Sequence, residues 1–440
     1  MMINVNTIKF LLLSLLCFGY IEQGKTQQVT YTGTILDAET QAPLPYAHIL
    51  LGESRKGTFS NEEGYFRISL PEGHSYTYVK ISATSFQTTK VPLTELKDKI
   101  ITLAPYVVEL STVEIRPVNM REYVWEAIRR IPENHFGDPL MLKGFFRTQT
   151  KIDQQNAGYV EALLDIIDQP TQDTLKQNQY RVLMARDLSD SVTLDWGLDE
   201  DMDSMNFEAF TPHDLLTSDI IRKEGMQLDE DMEGRIVSFL DTTKLDYYHF
   251  EYKGLTYYQG RTVMEIHFKP RWKMNLGMFE GTILLDEQNY AFASLDFEIP
   301  KRYLKHVLPF GRGLGKLAVR GAMRLAGISL NYSLDKVQAH YSYQHLNNKW
   351  YPKYIGNDFR FYVKVRYRKE GININNHFAL SNELFILDAN PTDLPEIPEE
   401  ERFYPSQKIK DVLTEHSEDE WQKYNIVTRR QSVVGMKNEE

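Results

Sequence analysis

Apolar and polar residues alternate along most of this chain, and the alternation breaks at short clusters of Gly, Pro, Asn and Asp. Successive side chains of an extended strand point to opposite faces, so the pattern predicts short strands joined by turns. Val29-Thr30-Tyr31-Thr32-Gly33-Thr34-Ile35-Leu36 opens the series, and residues 46–51, 65–70, 76–83, 100–103 and 107–115 continue it. Residues 58–64 read as a turn, with Asn61 and Gly64 free to take unusual backbone angles. From Lys143 the alternation resumes at 144–150, 159–165, 247–252, 262–268, 279–285 and 290–299. A hairpin around Asn347-Asn348 and strands at 360–367 and 372–387 follow, which together predict successive hairpins of one curved antiparallel sheet.

Two stretches depart from this period. Met120, Val124, Ala127, Ile128 and Ile131 recur at helical spacing, with Asn119 as cap, Glu122 completing a capping-box pair and Pro132 as the stop. Residues 10–21 form an almost unbroken apolar run behind Lys9. As a helix that run rises only about 18 Å, short of the roughly 30 Å hydrocarbon core, so it reads as a cleaved leader rather than an anchor. Gly19 or Gly24 would precede the cut; acylation of Cys17, which lacks a small residue immediately before it, is the second reading. The expected organisation is a leader at 1–24, a sandwich at 28–117, a linker helix at 118–138, a β-rich domain at 139–389, and a Pro/Glu-rich connector and tail at 390–440. The fold class is mainly β, an N-terminal antiparallel β-sandwich and a larger curved antiparallel sheet with a few short helices.

Composition narrows the function classes. Cys17 is the only cysteine, so a cut beyond it leaves no disulfide, thiolate ligand or cysteine nucleophile. A net charge of −11 argues against a nucleic-acid surface, whose affinity rests on cations. No later segment approaches an apolar 18-mer.

A resemblance now becomes visible. Gly33, Asp37, Pro43-Leu44, Ala47, Gly57-Thr58, Asn61, Gly64, Phe66 and Ile68 resemble the pattern of the carboxypeptidase-regulatory-like domain, a transthyretin-type sandwich found at the front of exported Bacteroidota proteins. In that family the domain is accessory and has no active site. Gly144-Phe145-Phe146-Arg147, Tyr159-Val160-Glu161-Ala162, Gly281-Thr282-Ile283-Leu284-Leu285-Asp286 and Glu420-Trp421-Gln422-Lys423-Tyr424-Asn425 are similar to an uncharacterised family that carries the same sandwich in front. That resemblance implies envelope placement and assigns no reaction.

Candidate chemistry is sparse. None of the eleven histidines is followed three residues later by Glu, so the zinc site of a carboxypeptidase is missing, and no cofactor is expected. His416 and Asp419 have ligand-like spacing but lie in a charged tail. Ser333 and Lys336 match a serine–lysine spacing, yet their alternating surroundings predict a strand that would send them to opposite faces. Asp199, Asp201 and Asp203 lack the glycine and glutamate of a calcium loop, with Ser204 and Phe210 in those places. Arg312, Lys316, Arg320 and Arg324 form a basic stripe beside apolar residues, the candidate contact with anionic head groups. Tyr257, Tyr258, Trp272, Trp350 and Tyr351 are candidates for stacking on sugars or apolar chains, with packing as the plainer role. The expected function is a non-enzymatic envelope binding or assembly module, membrane-peripheral rather than spanning, with a lipid, glycan or protein partner and no nucleic acid. The alternative is a carboxylate-dependent hydrolase, with Glu161 and Asp165 on one strand face as its acids.

Overall fold

Among the described residues, seven short strands build the first unit: β1 (Gln28–Asp37), β2 (His48–Leu51), β3 (Gly57–Phe59), β4 (Tyr65–Pro71), β5 (Tyr78–Ser82), β6 (Thr89–Pro92) and β7 (Lys99–Leu103). They form two sheets, ordered β4-β1-β7 and β3-β2-β5-β6. The alternation that predicts them sends Ile35, Ile49, Phe66, Ile68, Val79 and Ile81 into one shared core. β7 joins β1 in parallel, whereas β4 joins it antiparallel. The expected turn at 58–64 begins later than its composition suggests, because Gly57–Phe59 pairs with β2 and places His48 opposite Phe59. The turn itself is closed by Asn61, whose Oδ1 accepts from the backbone N–H groups of Glu63 and Tyr65. Gly64 sits there at φ +74°, where an added Cβ would lie 2.3 Å from the Ile35 carbonyl oxygen.

This computed structural model describes residues 28–106, 119–135, 139–169, 178–189, 236–271, 276–307, 327–367, 369, 371–391, 396–404 and 406–427. The leader, the strand expected at 107–115, Asp199, Asp201, Asp203, Trp272, Arg312, Lys316, Arg320, Arg324 and the last ten residues lie outside them.

The helical spacing after Asn119 yields α1 (Met120–Arg129), and Pro132 restarts the chain in α2 (Ile131–Asn134). The expected cap does not form. Asn119 spends its side chain on Glu122, Nδ2 donating to Oε1 at 2.8 Å, and leaves the backbone N–H groups uncapped.

The second unit follows as β8 (Leu140–Ile152), β9 (Gln155–Asp168), β10 (Gln179–Asp187), β11 (Ile236–Val237), β12 (Tyr248–Tyr258), β13 (Arg261–Pro270), β14 (Gly277–Met278), β15 (Glu280–Asp286), β16 (Phe292–Glu298), α3 (Lys301–Val307), β17 (Ile328–Leu346), β18 (Lys349–Tyr367), β19 (Ile372–Asn390) and α4 (Glu418–Trp421). Ten strands make one antiparallel sheet, β10-β9-β8-β19-β18-β17-β16-β15-β13-β12. Asn347 and Asn348, at φ 50° and 62°, turn β17 into β18 as Asn tolerates left-handed backbone. The hairpin rule fails once: β19, last in sequence, pairs with β8, the first strand of this unit.

One face of the sheet carries a continuous apolar core that runs from Leu164 and Tyr180 at one edge to Tyr248 and Phe268 at the other, with α1 packed on it through Val124 and Ile128. The opposite face carries Phe145, Leu163, Tyr354 and Phe385, which are covered by Phe59 of the sandwich and by Trp421 and Val427 of the tail. Residues 396–404 and 406–414, part of the stretch expected as a connector and tail, run along the outer edge of β10. Phe403 N–H donates to the Tyr180 carbonyl and Thr414 N–H to that of Ala185, so the edge is covered against further pairing.

Candidate functional site: a cleft between sandwich and sheet

The sandwich is fastened to the sheet at several points. Ser85 N–H donates to the Tyr257 carbonyl at 3.0 Å, Ser69 N–H donates to Asn425 Oδ1 at 2.8 Å, and Tyr106 stacks on Tyr257 with ring centroids 4.6 Å apart. Between these contacts lies a cavity of about 390 Å³. Leu44, Pro45, Tyr46, His48 and Phe86 form its sandwich wall; Tyr258, Asp296, His340, Tyr354, Asp358 and Glu383 form much of its sheet wall. That volume falls within the usual range for a small-ligand site.

The backbone is strained at this junction. Tyr46 and Ser85 take φ +56° and +67°, conformations that bulky L-residues avoid. For Tyr46 the result is a ring stacked on Tyr354, 5.4 Å between centroids, with its hydroxyl turned toward Glu383. Strain of this kind concentrates where geometry serves a site. Gly356 makes room for the other ring, since an added Cβ would stand 2.4 Å from the Tyr354 hydroxyl oxygen. That hydroxyl donates to Glu383 Oε1 at 3.0 Å.

Several polar groups in the cleft have defined partners. Gln259 Nε2 donates both to the Tyr343 carbonyl (3.0 Å) and to His48 Nδ1 (2.9 Å). A carbonyl can only accept, so the amide nitrogen faces both groups, and the His48 proton sits on Nε2. Burial, then the nearby Lys353 charge, holds His48 well below the usual imidazole range, which keeps it neutral. Asp296 bonds His340 Nδ1. Asp358 accepts from Lys336 Nζ at 3.0 Å. Burial raises the Glu383 carboxyl above its ordinary value, opposed by Arg147 and by the two tyrosine hydroxyls.

The residues singled out by sequence fall elsewhere or change role. Glu161 and Asp165 do share a face of β9, but each is held by two cations: Glu161 by Arg147 and Arg186, Asp165 by Lys143 and Arg181. Arg186 also stacks over Trp421 at 4.2 Å, which places the pair beneath the tail. Ser333 and Lys336 reverse their expectation. A bulge between Leu334 and Lys336 sets Ser333 opposite Tyr362 and Lys336 opposite Arg360, and so brings both to one face. They still make no pair: Ser333 bonds Asp335, and Lys336 bonds Asp358. His416 lies 3.6 Å from Glu420 in the tail. Tyr258, Trp350 and Tyr351 are buried, and only Tyr258 among them reaches the cleft. No group of three or more His, Cys, Asp and Glu is placed to hold a metal among the described residues. Of the cleft residues, only Leu44 falls within the regulatory-like pattern and only Tyr258 among the stacking candidates; the rest carry no motif.

Comparison with known proteins matches the two units separately. Residues 31–115 match the CarboxypepD_reg-like domain, and residues 210–310 match a family of unknown function, DUF5686. The chain thus carries a carboxypeptidase-regulatory-like domain followed by a DUF5686 region. The regulatory-like domain supplies Tyr46, His48 and Phe86 to the cleft, and the DUF5686 region supplies Tyr258, Gln259 and Asp296. No curated protein matches the chain. Solved structures that align with it include an outer membrane lipoprotein-sorting protein domain from Vibrio parahaemolyticus, at 13% identity over 63% of this chain and 96% of that one, with a TM-score of 0.25. Others are a LolA superfamily protein from Nitrosomonas europaea (11% identity, 63% and 96% covered, TM-score 0.19) and MucB in complex with MucA (10%, 63% and 100%, 0.18). Superpositions this loose do not establish a shared fold.

Proposed function

We propose that this chain is an exported, non-catalytic module of the cell envelope that binds a glycan in the cleft between its sandwich and its sheet. The observation that carries the reading is the cleft's lining: Tyr46 and Phe86 on one wall, Tyr258 and Tyr354 on the other, with Asp296, Asp358 and Glu383 set among them. Aromatic faces take up the apolar side of a sugar ring, and fixed carboxylates accept from its hydroxyls. Export is supported by the leader-like apolar run at residues 10–21 and by the regulatory-like domain behind it. No helix among the described residues is long and apolar enough to cross a membrane, which says nothing of strands.

Saturation-transfer NMR against peptidoglycan fragments and lipopolysaccharide core oligosaccharides tests this. Transfer to one class is expected, and it should weaken at least about tenfold in Asp296→Asn and Asp358→Asn, whose side chains are half exposed and tolerate an isosteric change. Failure of every sugar to show transfer would end the glycan reading. A second reading is favoured by one detail: Glu383, with its raised pKa, shares the cleft with two other carboxylates, an arrangement that also serves glycoside hydrolysis. New reducing ends appearing in the same samples, and lost in Glu383→Gln, would replace binding with catalysis.

A further inference from the structure

β17, β18 and β19 are each 19 residues long and outrun their neighbours. β16 pairs with β17 only over Gln338 to Ser342, and β8 reaches β19 only from Phe378 onward. Beyond these points the three strands continue together as an arm, and the pairing register fixes which side chains share each of its faces. One face carries Leu330, Tyr332, Val363, Val365 and Ile374, continuous with the inner core face. The other carries a row on the central strand: Arg360, Tyr362, Lys364 and Arg366.

The cross-strand neighbours of that row carry no negative charge. Arg366 lies between Ser329 and Asn373, Lys364 between Asn331 and Asn375, and Tyr362 between Ser333 and His377. Arg360, Lys364 and Arg366 are exposed, and none has an ion-pair partner among the described residues. Among the described residues, carboxylates enter only at the base. Asp335 accepts from Ser333 and stands 3.9 Å from His377, Asp358 is taken by Lys336, and Asp153 accepts from the His377 N–H and from Asn376. Along a strand, alternate residues are about 6.7 Å apart, so the three cations span roughly 20 Å of a face that carries no acid among the described residues.

We infer that this face docks on an anionic lipid bilayer. Three unneutralised cations on a chain of net charge −11 create a local field opposite in sign to that of the whole molecule, so an anionic surface attracts the arm and repels the remainder. The flanking Asn and Ser side chains donate to phosphate oxygens without cancelling the charge. The face is an open sheet surface with no cavity to enclose a lone phosphate, and it suits a plane of head groups. Asp358, at the mouth of the cleft, precedes Arg360 on the same face of β18, so docking would hold the cleft beside the membrane. The inference stands whatever the cleft binds.

The test is co-sedimentation of the full chain with vesicles of phosphatidylglycerol and phosphatidylethanolamine, against vesicles of phosphatidylcholine alone. Expected are binding to the anionic vesicles only, release on raising the salt to about 0.5 M, and a loss of about tenfold or more in the triple variant Arg360→Gln, Lys364→Gln, Arg366→Gln. A triple variant of equal charge change at exposed lysines elsewhere, Lys56→Gln, Lys97→Gln, Lys301→Gln, should bind as the wild type does. All six positions are exposed, so far-UV circular dichroism should show both variants folded. Equal binding to both vesicle types, equal loss in the two variants, or full competition by millimolar inorganic phosphate would each overturn the proposal.

Discussion

Lys353 brings an ammonium group into a place closed to water. Its side chain is 1% exposed, Nζ donates to the Ile386 carbonyl at 2.7 Å, and Phe59 from the sandwich lies 5.1 Å from it. Burial lowers its pKa from 10.5 to about 8, and Asp388 offsets this only in part. The native protein therefore releases this proton near pH 8 and the unfolded chain near 10.5, so between those values the unfolded state binds more protons and stability rises with pH. The buried tyrosines act in the opposite sense above pH 10, because burial holds their hydroxyls protonated in the fold. Comparison with Lys353→Met cancels that shared effect. Urea titrations from pH 7 to 10.5 should show the variant at least as stable as wild type at neutral pH, with the difference moving toward wild type by about 3 kcal/mol as pH rises. A pH-independent difference would mean the ammonium is solvated.

At the scale of elements, strand periodicity located most of the sheet. β1, β4, β7, β8, β9, β13, β18 and β19 contain the segments their alternation predicts, and β12, β15 and β16 miss only one to three end residues of theirs. What escaped has physical causes. β3 begins at a glycine inside a turn-like composition, and the bulge in β17 turns Lys336 to the face of Ser333, a change that no period can reveal. The cleft was illegible because its residues come from positions 44 to 383, and a single sequence does not state where two units meet. The carboxylates on β9 were legible as neighbours and illegible as ion pairs, since their partners come from other strands. Removing one side of that network leaves buried charge uncompensated. Glu161→Ala removes the carboxylate shared by Arg147 and Arg186, which are 12% and 13% exposed and keep as acidic partners a long contact to Glu383 and the exposed Glu418, and should destabilise the fold by about 3–5 kcal/mol in chemical denaturation. A loss below about 1 kcal/mol would show that water or the tail takes over both guanidinium groups.

At the scale of the molecule, the sandwich shares a core with the sheet. Phe59 is fully buried against Phe385, 5.1 Å between ring centroids, and against Tyr354. Truncating such a side chain costs about 3–5 kcal/mol, and here the loss falls on the contact between units. Phe59→Ala should split a single unfolding transition into two in scanning calorimetry and open the linker near residue 107 to protease. A single transition with unchanged cleavage would show that the backbone contacts at Ser85 and Ser69 suffice to hold the units together.

The closure of β19 onto β8 sets a schedule for synthesis. Arg147 and Glu383, partners across that seam, are 236 residues apart in the chain, so the β8–β9 hairpin waits with one flank unpaired until nearly the whole polypeptide has emerged. Loop closure over such a span is slow, and a hairpin left open in the interval is a template for wrong partners. Nascent chains that stall before residue 378 should therefore be the species that aggregate and recruit chaperones, while the sandwich, which emerges far earlier, can already be folded ahead of them.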